Sequence, residues 1–531
     1  MTFTGTLFPY QVDAVVRMTT RRQVLVAYDL GLGKTVLTIA AIEELRNSKD
    51  IESPTLIVCL SSLKYQWQKE IRKFSDSDAL VVDGTRRQRT AQYEIMHGVD
   101  IPEYLIVNYE QVVNDWEDLR LLSFDALVMD ETTAIKSFRS KRSMAVKTLS
   151  KHINIRFGLT GTPLENGKPE ELYSIMQAID DTVLGQRFDL FDRNFIVRNQ
   201  WGGIDRYRNL AKLHERMQGV SVRKAQTDAD VAPFLPDSIE KDPILVPFDS
   251  MGARVYRHIV TLLEPDLQQA KSMFGSSFNI YAHYGEGSQT GSGPENALRG
   301  AVMAKIMALR MLCDHPDLLV QSAELYSPFE PDRGSAFLAE LLEDTTVSTW
   351  VDKAKTPKLD VLESLIRDHL MEPGHKAVVF CSYVGMAGML QARIGTATSV
   401  VYTGGMSARH KEAAKVQFQT DMDTKVLIST DAGGYGVDLP QANLLVNYDL
   451  PWSSGLAVQR NGRIKRASSK WPSIVIQDLL MSESVEERQH AMLRHKNAVA
   501  AAVVDGKGIN EKGGVDTTIG SLINFLNQQN P

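Results

Sequence analysis

The sequence predicts an α/β fold: two parallel-sheet lobes with a mainly helical insertion between them. Three observations carry that prediction. Short β-branched runs alternate with helical stretches from residue 23, the alternation stops near Lys168, and it resumes at Ala377. The length agrees, since 531 residues at roughly 150 per domain allow three or four domains.

Taken in order, the first runs are Gln23 to Ala27, Thr55 to Leu60, Tyr104 to Val107, Ala126 to Met129, and Arg156 to Leu159. Buried runs separated by crossovers predict parallel strands with helices on both faces. From Lys168 to Thr345 the chain reads mostly helical, as in Glu170 to Ile179 and Ala297 to Leu312, with a Gly- and Ser-rich segment at 285–293. The second set is Ala377 to Cys381, Ser399 to Tyr402, Lys425 to Thr430, Asn443 to Tyr448, and Ser473 to Gln477. The expected boundaries are 1–167 for the first lobe, 168–345 for the insertion, 346–505 for the second lobe, and 506–531 for a tail or brace.

Composition narrows the classes. Hydrophobic residues make up 43% and charged residues 23%, which excludes fibrous and disordered chains. Lys and Arg total 59 against 65 for Asp and Glu, so any nucleic-acid surface must be a local patch. Cys59, Cys313 and Cys381 form no CxxC pair, which argues against a disulfide framework or structural zinc and fits a reducing compartment. The amino terminus carries no cationic stretch followed by an apolar run, and no run of 18 apolar residues occurs, so a cytoplasmic protein is expected. The eleven histidines show no metal spacing, and no Gly-x-Ser-x-Gly elbow follows a strand.

The chemistry concentrates after the first run, in Tyr28-Asp29-Leu30-Gly31-Leu32-Gly33-Lys34-Thr35. Gly31, Leu32 and Gly33 offer backbone N–H groups to phosphate oxygens, Lys34 a point charge for the β- and γ-phosphates, and Thr35 a hydroxyl for Mg²⁺. Tyr28 stands where the strict phosphate-loop pattern has glycine. The run Ala126 to Met129 ends in Asp130 and Glu131, at the sheet edge where ligands bind. Asp130 would hold the metal through water, and Glu131 would deprotonate the attacking water. In the second lobe, Arg463 and Arg466 stand three apart; on a helix they share a face and would reach a γ-phosphate as arginine fingers. From Lys136 to Arg156 there are seven cations and no acids, and Arg139, Lys141 and Arg142 are therefore candidate DNA-phosphate contacts. Trp452 would pack on a sugar or base, or in the core.

Together these motifs resemble the superfamily 2 helicase-like ATPases, specifically the Swi/Snf-type double-stranded DNA translocases. The resemblance runs from Leu7 to about Asp505. Leu7-Phe8-Pro9-Tyr10-Gln11 resembles the adenine-reading glutamine motif, which assigns Gln11 to the base. Leu56 to Trp67 resembles the segment that brings Ser62 and Lys64 to DNA. Leu159 to Asn166 is similar to the motif that couples hydrolysis to lobe movement, through Thr160, Gly161 and Thr162. Leu309-Arg310-Met311-Leu312-Cys313-Asp314-His315-Pro316 resembles a stretch particular to this family, and Ser429 to Leu439, with Thr430 and Gly436, its motif V. The resemblance implies two RecA-like P-loop NTPase lobes that use ATP and Mg²⁺ to move on duplex DNA with little sequence preference. The short chain implies a minimal bacterial or viral member. Thr132 and Thr133 depart from the family pattern after Asp-Glu, which bears on coupling and motivates a DNA-binding ATP switch as a second class. A branch-migrating or strand-annealing helicase, or a restriction or defence motor subunit, is the neighbouring enzyme reading.

Overall fold

The computed structural model of the chain describes residues 2–198, 204–275, 294–330, 334–431, 437–506, 522, 523, 525 and 526. The first lobe holds β1 (Gln23–Tyr28), β2 (Thr55–Cys59), β3 (Ala79–Val81), β4 (Tyr104–Asn108), β5 (Ala126–Asp130) and β6 (Ile155–Leu159). An antiparallel pair, β7 (Ile196–Arg198) with β8 (Ile204–Tyr207), and then β9 (Ser221–Lys224), follow. The first sheet runs β3-β4-β2-β5-β6-β1-β9, and every pairing in it is parallel.

The second sheet begins with β10 (Asp237–Glu240) and β11 (Ile244–Val246) and adds β12 (Ala377–Cys381), β13 (Ser399–Tyr402), β14 (Val426–Thr430), β15 (Leu444–Asn447) and β16 (Ser473–Met481). Its order is β10-β16-β15-β12-β14-β13, with β11 also pairing β16. Alternate residues of each central strand enter opposite cores: Leu25 and Ala27 pack on one face of the first sheet, Val24, Val26 and Tyr28 on the other. Val379 and Cys381 are likewise divided from Val378 and Phe380 in the second. Burial on both faces explains why these strands read as unbroken apolar runs.

The region expected to be mainly helical differs in one respect. It builds a helical core around Val255, Ile259, Val302 and Leu309, yet it also supplies β9 to the first sheet and β10 and β11 to the second. β9 and β10 are four residues long and carry polar side chains, as in Ser221-Val222-Arg223-Lys224, and β11 is only the three apolar residues Ile244-Leu245-Val246, so no long apolar run announces them. Both lobes therefore close their sheets with strands drawn from the insertion. The Gly- and Ser-rich segment at 285–293 lies outside the described residues, as does most of the expected tail, although Leu522, Ile523 and Leu526 are buried in the helical core. Among the described residues, no helix is long and apolar enough to cross a membrane.

Candidate active site

Tyr28 ends β1 with its ring buried and its hydroxyl donating to the Tyr10 carbonyl at 2.6 Å, so a large side chain stands where the consensus has glycine. The loop then turns on Gly31 (φ 81°) and Gly33 (φ 79°), left-handed conformations that glycine adopts without strain. Gly33 caps the helix Lys34–Asn47, whose first turn carries Lys34 and Thr35. A Cβ at Gly33 would meet Gln11 Nε2 at 2.3 Å, so any side chain there would displace the Gln11 amide. Gln11 accepts from the Phe8 amide at 2.9 Å and donates to the Leu32 carbonyl at 3.0 Å, tying the helix Pro9–Arg21 to the loop. The Lys34 ammonium donates to the carbonyls of Tyr28 (3.0 Å) and Asp29 (3.4 Å). Burial lowers its pKa, opposed by the nearby Glu131 and Asp130 carboxylates.

Asp130 is the last residue of β5 and is held from two sides. Trp67 Nε1 donates to Oδ2 at 2.8 Å and the Glu131 amide to Oδ1 at 3.0 Å. Glu131 itself adopts φ 51°, a left-handed conformation for a non-glycine residue that costs on the order of 1–3 kcal/mol. Burial, followed by the charge of Asp130, pushes its carboxyl up to about 7. Its Oε2 is buried with no hydrogen-bond partner among the described residues, as are Thr162 Oγ1 and Arg466 Nε.

The second lobe completes the cleft. Arg463 and Arg466 are buried, at 6% exposure each. They do not share a helix face as expected, because the helix Ser454–Asn461 ends before them and both lie in the following turn. Gly462 ends that helix hard against Leu30 of the first lobe, where a Cβ would approach Leu30 Cδ1 to 2.9 Å. The turn is pinned by the Leu439 amide donating to the Arg463 carbonyl at 3.0 Å and the Ser469 amide to the Arg466 carbonyl at 2.9 Å. It delivers Arg466 to the phosphate loop, since a Cβ on Gly31 would sit 2.8 Å from Arg466 Nη1. Arg463 acts electrostatically on Glu131, and Arg466 on Lys34.

Comparison with known proteins gives the family. The family model described as SNF2-related domain matches residues 10–318, more than half of the chain, and the helicase conserved C-terminal domain matches residues 357–468. The chain belongs to the SNF2-related family. It is 23% identical over 514 residues to the putative ATP-dependent helicase/translocase YwqA of Bacillus subtilis, covering 95% of this chain and 49% of that protein. Against the human DNA repair and recombination protein RAD54B it is 24% identical over 528 residues, covering 94% and 54%. The chain thus spans about half the length of these curated relatives. Among solved structures, the Sulfolobus solfataricus SWI2/SNF2 ATPase core in complex with dsDNA is similar at 22% identity and a TM-score of 0.41, covering 95% of this chain and 94% of that one.

The SNF2-related core places the expected coupling residues beside the loop. The Thr160 amide donates to the Val26 carbonyl at 3.1 Å, and Thr160 Oγ1 accepts from the Thr162 amide at 3.1 Å. Gly161 packs on Leu30, with its Cβ position 3.4 Å from Lys34 Nζ. Gly436 and the Gly433-Gly434 pair lie outside the described residues. Glu165, to which no individual role was assigned, is one contact between lobes: its carboxylate accepts from Lys136 of its own lobe (2.6 Å) and from Ser453 of the second (3.2 Å). The only sequence signal was its place five residues after Thr160.

Several expected DNA contacts are buried or paired within the protein. Lys64 is 2% exposed, and its ammonium is committed to the Val82 carbonyl (2.7 Å) and Asp83 (3.1 Å). Thr430 is buried as well, so neither side chain is a surface contact in this conformation. Trp452 packs on the helical core with the Arg310 guanidinium 4.2 Å from its ring centroid, which selects the core reading. Within the basic run, Arg142 pairs with Glu110, Lys136 with Glu165, and Lys147 lies against the Phe138 ring and Ser174 Oγ. Arg139, Lys141, Lys151 and Ser62 remain exposed. Arg460, part of the second-lobe basic cluster, faces Asp431 and Asp449 of its own lobe rather than an external anion. The family-specific stretch is also structural: the Arg310 guanidinium caps the Leu450 carbonyl, and Asp314 joins Glu486 around the buried Lys358.

Proposed function

We propose that the protein is a DNA-stimulated ATPase that converts hydrolysis between its lobes into movement along double-stranded DNA. The observation that carries this reading is the meeting in one cleft of Lys34, Asp130 and Glu131 from one lobe with Arg463 and Arg466 from the other. A nucleotide with Mg²⁺ fits the residues present. Gly31 and Gly33 turn the loop at positive φ, and three buried polar atoms, on Glu131, Thr162 and Arg466, have no hydrogen-bond partner among the described residues.

Lys34 and the loop amides would bind the β- and γ-phosphates, and Thr35 and Asp130 would hold the metal. The metal supplies neutralisation of phosphate charge. Glu131, just past the end of β5 beside Asp130 and facing Lys34 and Arg463, orients the attacking water and takes its proton. Arg463 and Arg466 stabilise charge on the transferred phosphoryl group and act only while the lobes are together. Gln11, with the Phe8 and Tyr10 rings beside it, reads the base.

Hydrolysis frees the γ-phosphate and its departure removes the anion that holds the arginines to the first lobe, so Thr160, Gly161, Thr162 and Glu165 pass the change to the lobe contact. Exposed Arg139, Lys141 and Lys151 track phosphates of the duplex without reading bases. The names of the two relatives, a putative ATP-dependent helicase/translocase and a DNA repair and recombination protein, support a motor that works on DNA. The buried unpaired cysteines fit work in the cytoplasm beside nucleoid DNA.

The test compares ATP turnover with duplex, single-stranded and forked DNA and with RNA, then triplex displacement with fork unwinding. Duplex-stimulated turnover with triplex displacement is expected. Efficient unwinding without triplex displacement would replace the translocase with a helicase, and nucleotide binding with no DNA-stimulated turnover would leave an ATP switch.

A further inference from the structure

Arg223 lies on β9, opposite Ala27 of β1, and its guanidinium reaches carboxylates on two sides. Nη1 donates to the Asp29 carboxylate and to the carbonyls of Ala27 and Lys224, both at 3.0 Å. Nε donates to Asp505 Oδ1 at 2.7 Å.

The two acids belong to different parts of the machine. Asp29 opens the phosphate loop: its carbonyl accepts from Lys34, and its Oδ2 accepts from the Gln226 amide at 2.9 Å. Gln226 Nε2 also donates to the Leu30 carbonyl at 2.8 Å, so the segment after β9 grips the first two residues of the loop. Asp505 caps the helix Val485–Val504, which leaves β16 in the second lobe and crosses to the first. There Val503 is fully buried in the core that contains Leu25 and Ala27, and its carbonyl meets His214 Nδ1 at 2.9 Å. A cavity of about 610 Å³ lined by Leu25, Ala27, Met217, Arg223, Val503 and Asp505 lies beside the helix end, leaving it room to move.

We infer that Arg223 is a positioning residue through which docking of the crossing helix on the first lobe sets the shape of the phosphate loop. The inference rests on the nucleotide-binding reading of residues 29–35. A guanidinium is a rigid planar fork, and here its two edges serve two masters. When the helix end leaves, Asp505 goes with it, water enters through the cavity, and the remaining pair with Asp29 loses its fixed geometry. Nucleotide binding and helix docking then share one group, and by linkage each changes the free energy of the other by the same amount.

The experiment uses the full chain without DNA, a fluorescent non-hydrolysable ATP analogue, and amide hydrogen exchange at residues 499–506. Asp505→Asn and Arg223→Lys should each weaken analogue binding roughly fivefold, and the double variant should be no worse than the worse single one. In the wild type the analogue should slow exchange at Val503 to Gly506; in Arg223→Lys it should not, because a lysine ammonium lacks the rigid planar fork that reaches Asp29 and Asp505 from separate nitrogens. Wild-type analogue affinity in Asp505→Asn, with exchange at the helix end accelerated, overturns the inference, as does additivity in the double variant. Should Arg223→Lys fail to fold, Asp505→Asn and wild-type exchange decide alone. A wild type that binds no nucleotide overturns the phosphate-loop reading instead.

Discussion

Ser454 of the second lobe donates its hydroxyl to the backbone carbonyl of Glu165 in the first, at 2.9 Å. The Gly455 amide donates to the same oxygen at 2.9 Å, and a Cβ at Gly455 would meet Glu165 Cα at 3.0 Å. The lobes therefore meet backbone to backbone, at a spacing only glycine permits. Gly455→Ala should push them apart and lower DNA-stimulated kcat by about tenfold, the equivalent of one lost hydrogen bond of about 1.4 kcal/mol. Analogue affinity should stay within about twofold, because the phosphate loop is untouched. Steady-state kinetics alongside equilibrium binding measures both, and an unchanged kcat removes this contact from the catalytic cycle.

Lys34→Ala and Glu131→Gln should fail differently. The first removes a phosphate contact and should cost both nucleotide affinity and about 10²-fold or more in turnover. The second keeps shape and hydrogen bonding but cannot accept a proton, so ATP should bind and hold the lobes closed on DNA. If Glu131→Gln hydrolyses ATP within a few-fold of wild type, another group takes the proton.

The neighbouring arginines separate chemistry from stability. Arg466→Ala should lose about 10³- to 10⁵-fold in turnover with little change in thermal midpoint, since its partner Asp438 is 54% exposed and such pairs contribute little. Arg460→Ala leaves Asp449 buried without its cation and should destabilise the second lobe by about 3–5 kcal/mol. Denaturation of both variants checks the contrast; equal stability loss would mean Arg466 is a structural arginine too.

Lys147 tests which part of the basic run meets DNA. Burial pulls its ammonium down from 10.5 to about 8. The charged form is disfavoured in the folded protein, so the penalty is complete below pH 8 and is relieved as pH rises toward 10.5. Lys147→Met should therefore raise the thermal midpoint most at pH 7 and less at pH 9, with DNA affinity unchanged. Arg139→Gln and Lys141→Gln should instead reduce the salt dependence of duplex binding by roughly one ion each. A DNA-binding defect in Lys147→Met, or none in the other two, reverses the assignment.

How far the sequence could be read depended on how local each signal was. The phosphate loop was legible because strand, glycines, Lys34 and helix are contiguous, and Asp130-Glu131 because it ends an apolar run. β9 was not, since Ser221-Val222-Arg223-Lys224 becomes a strand only by pairing with β1. The expected helix through Arg463 and Arg466 stops at Asn461, because Gly462 must pass beside Leu30 of the other lobe. Nothing within the segment reveals that neighbour.

The sequence by itself determined the two α/β lobes, the order of their central strands along the chain, and the residue types of the candidate nucleotide site. Those follow from side-chain periodicity and backbone sterics over a few residues. Tertiary structure alone decided which charges are spent inside the protein. Lys64 faces Val82 and Asp83, Arg460 faces Asp431 and Asp449, and Lys358 meets Glu486, 128 residues away. A buried cation must find its acceptor or stay in water, and the acceptor lies wherever folding brings one, at a sequence distance no local pattern encodes.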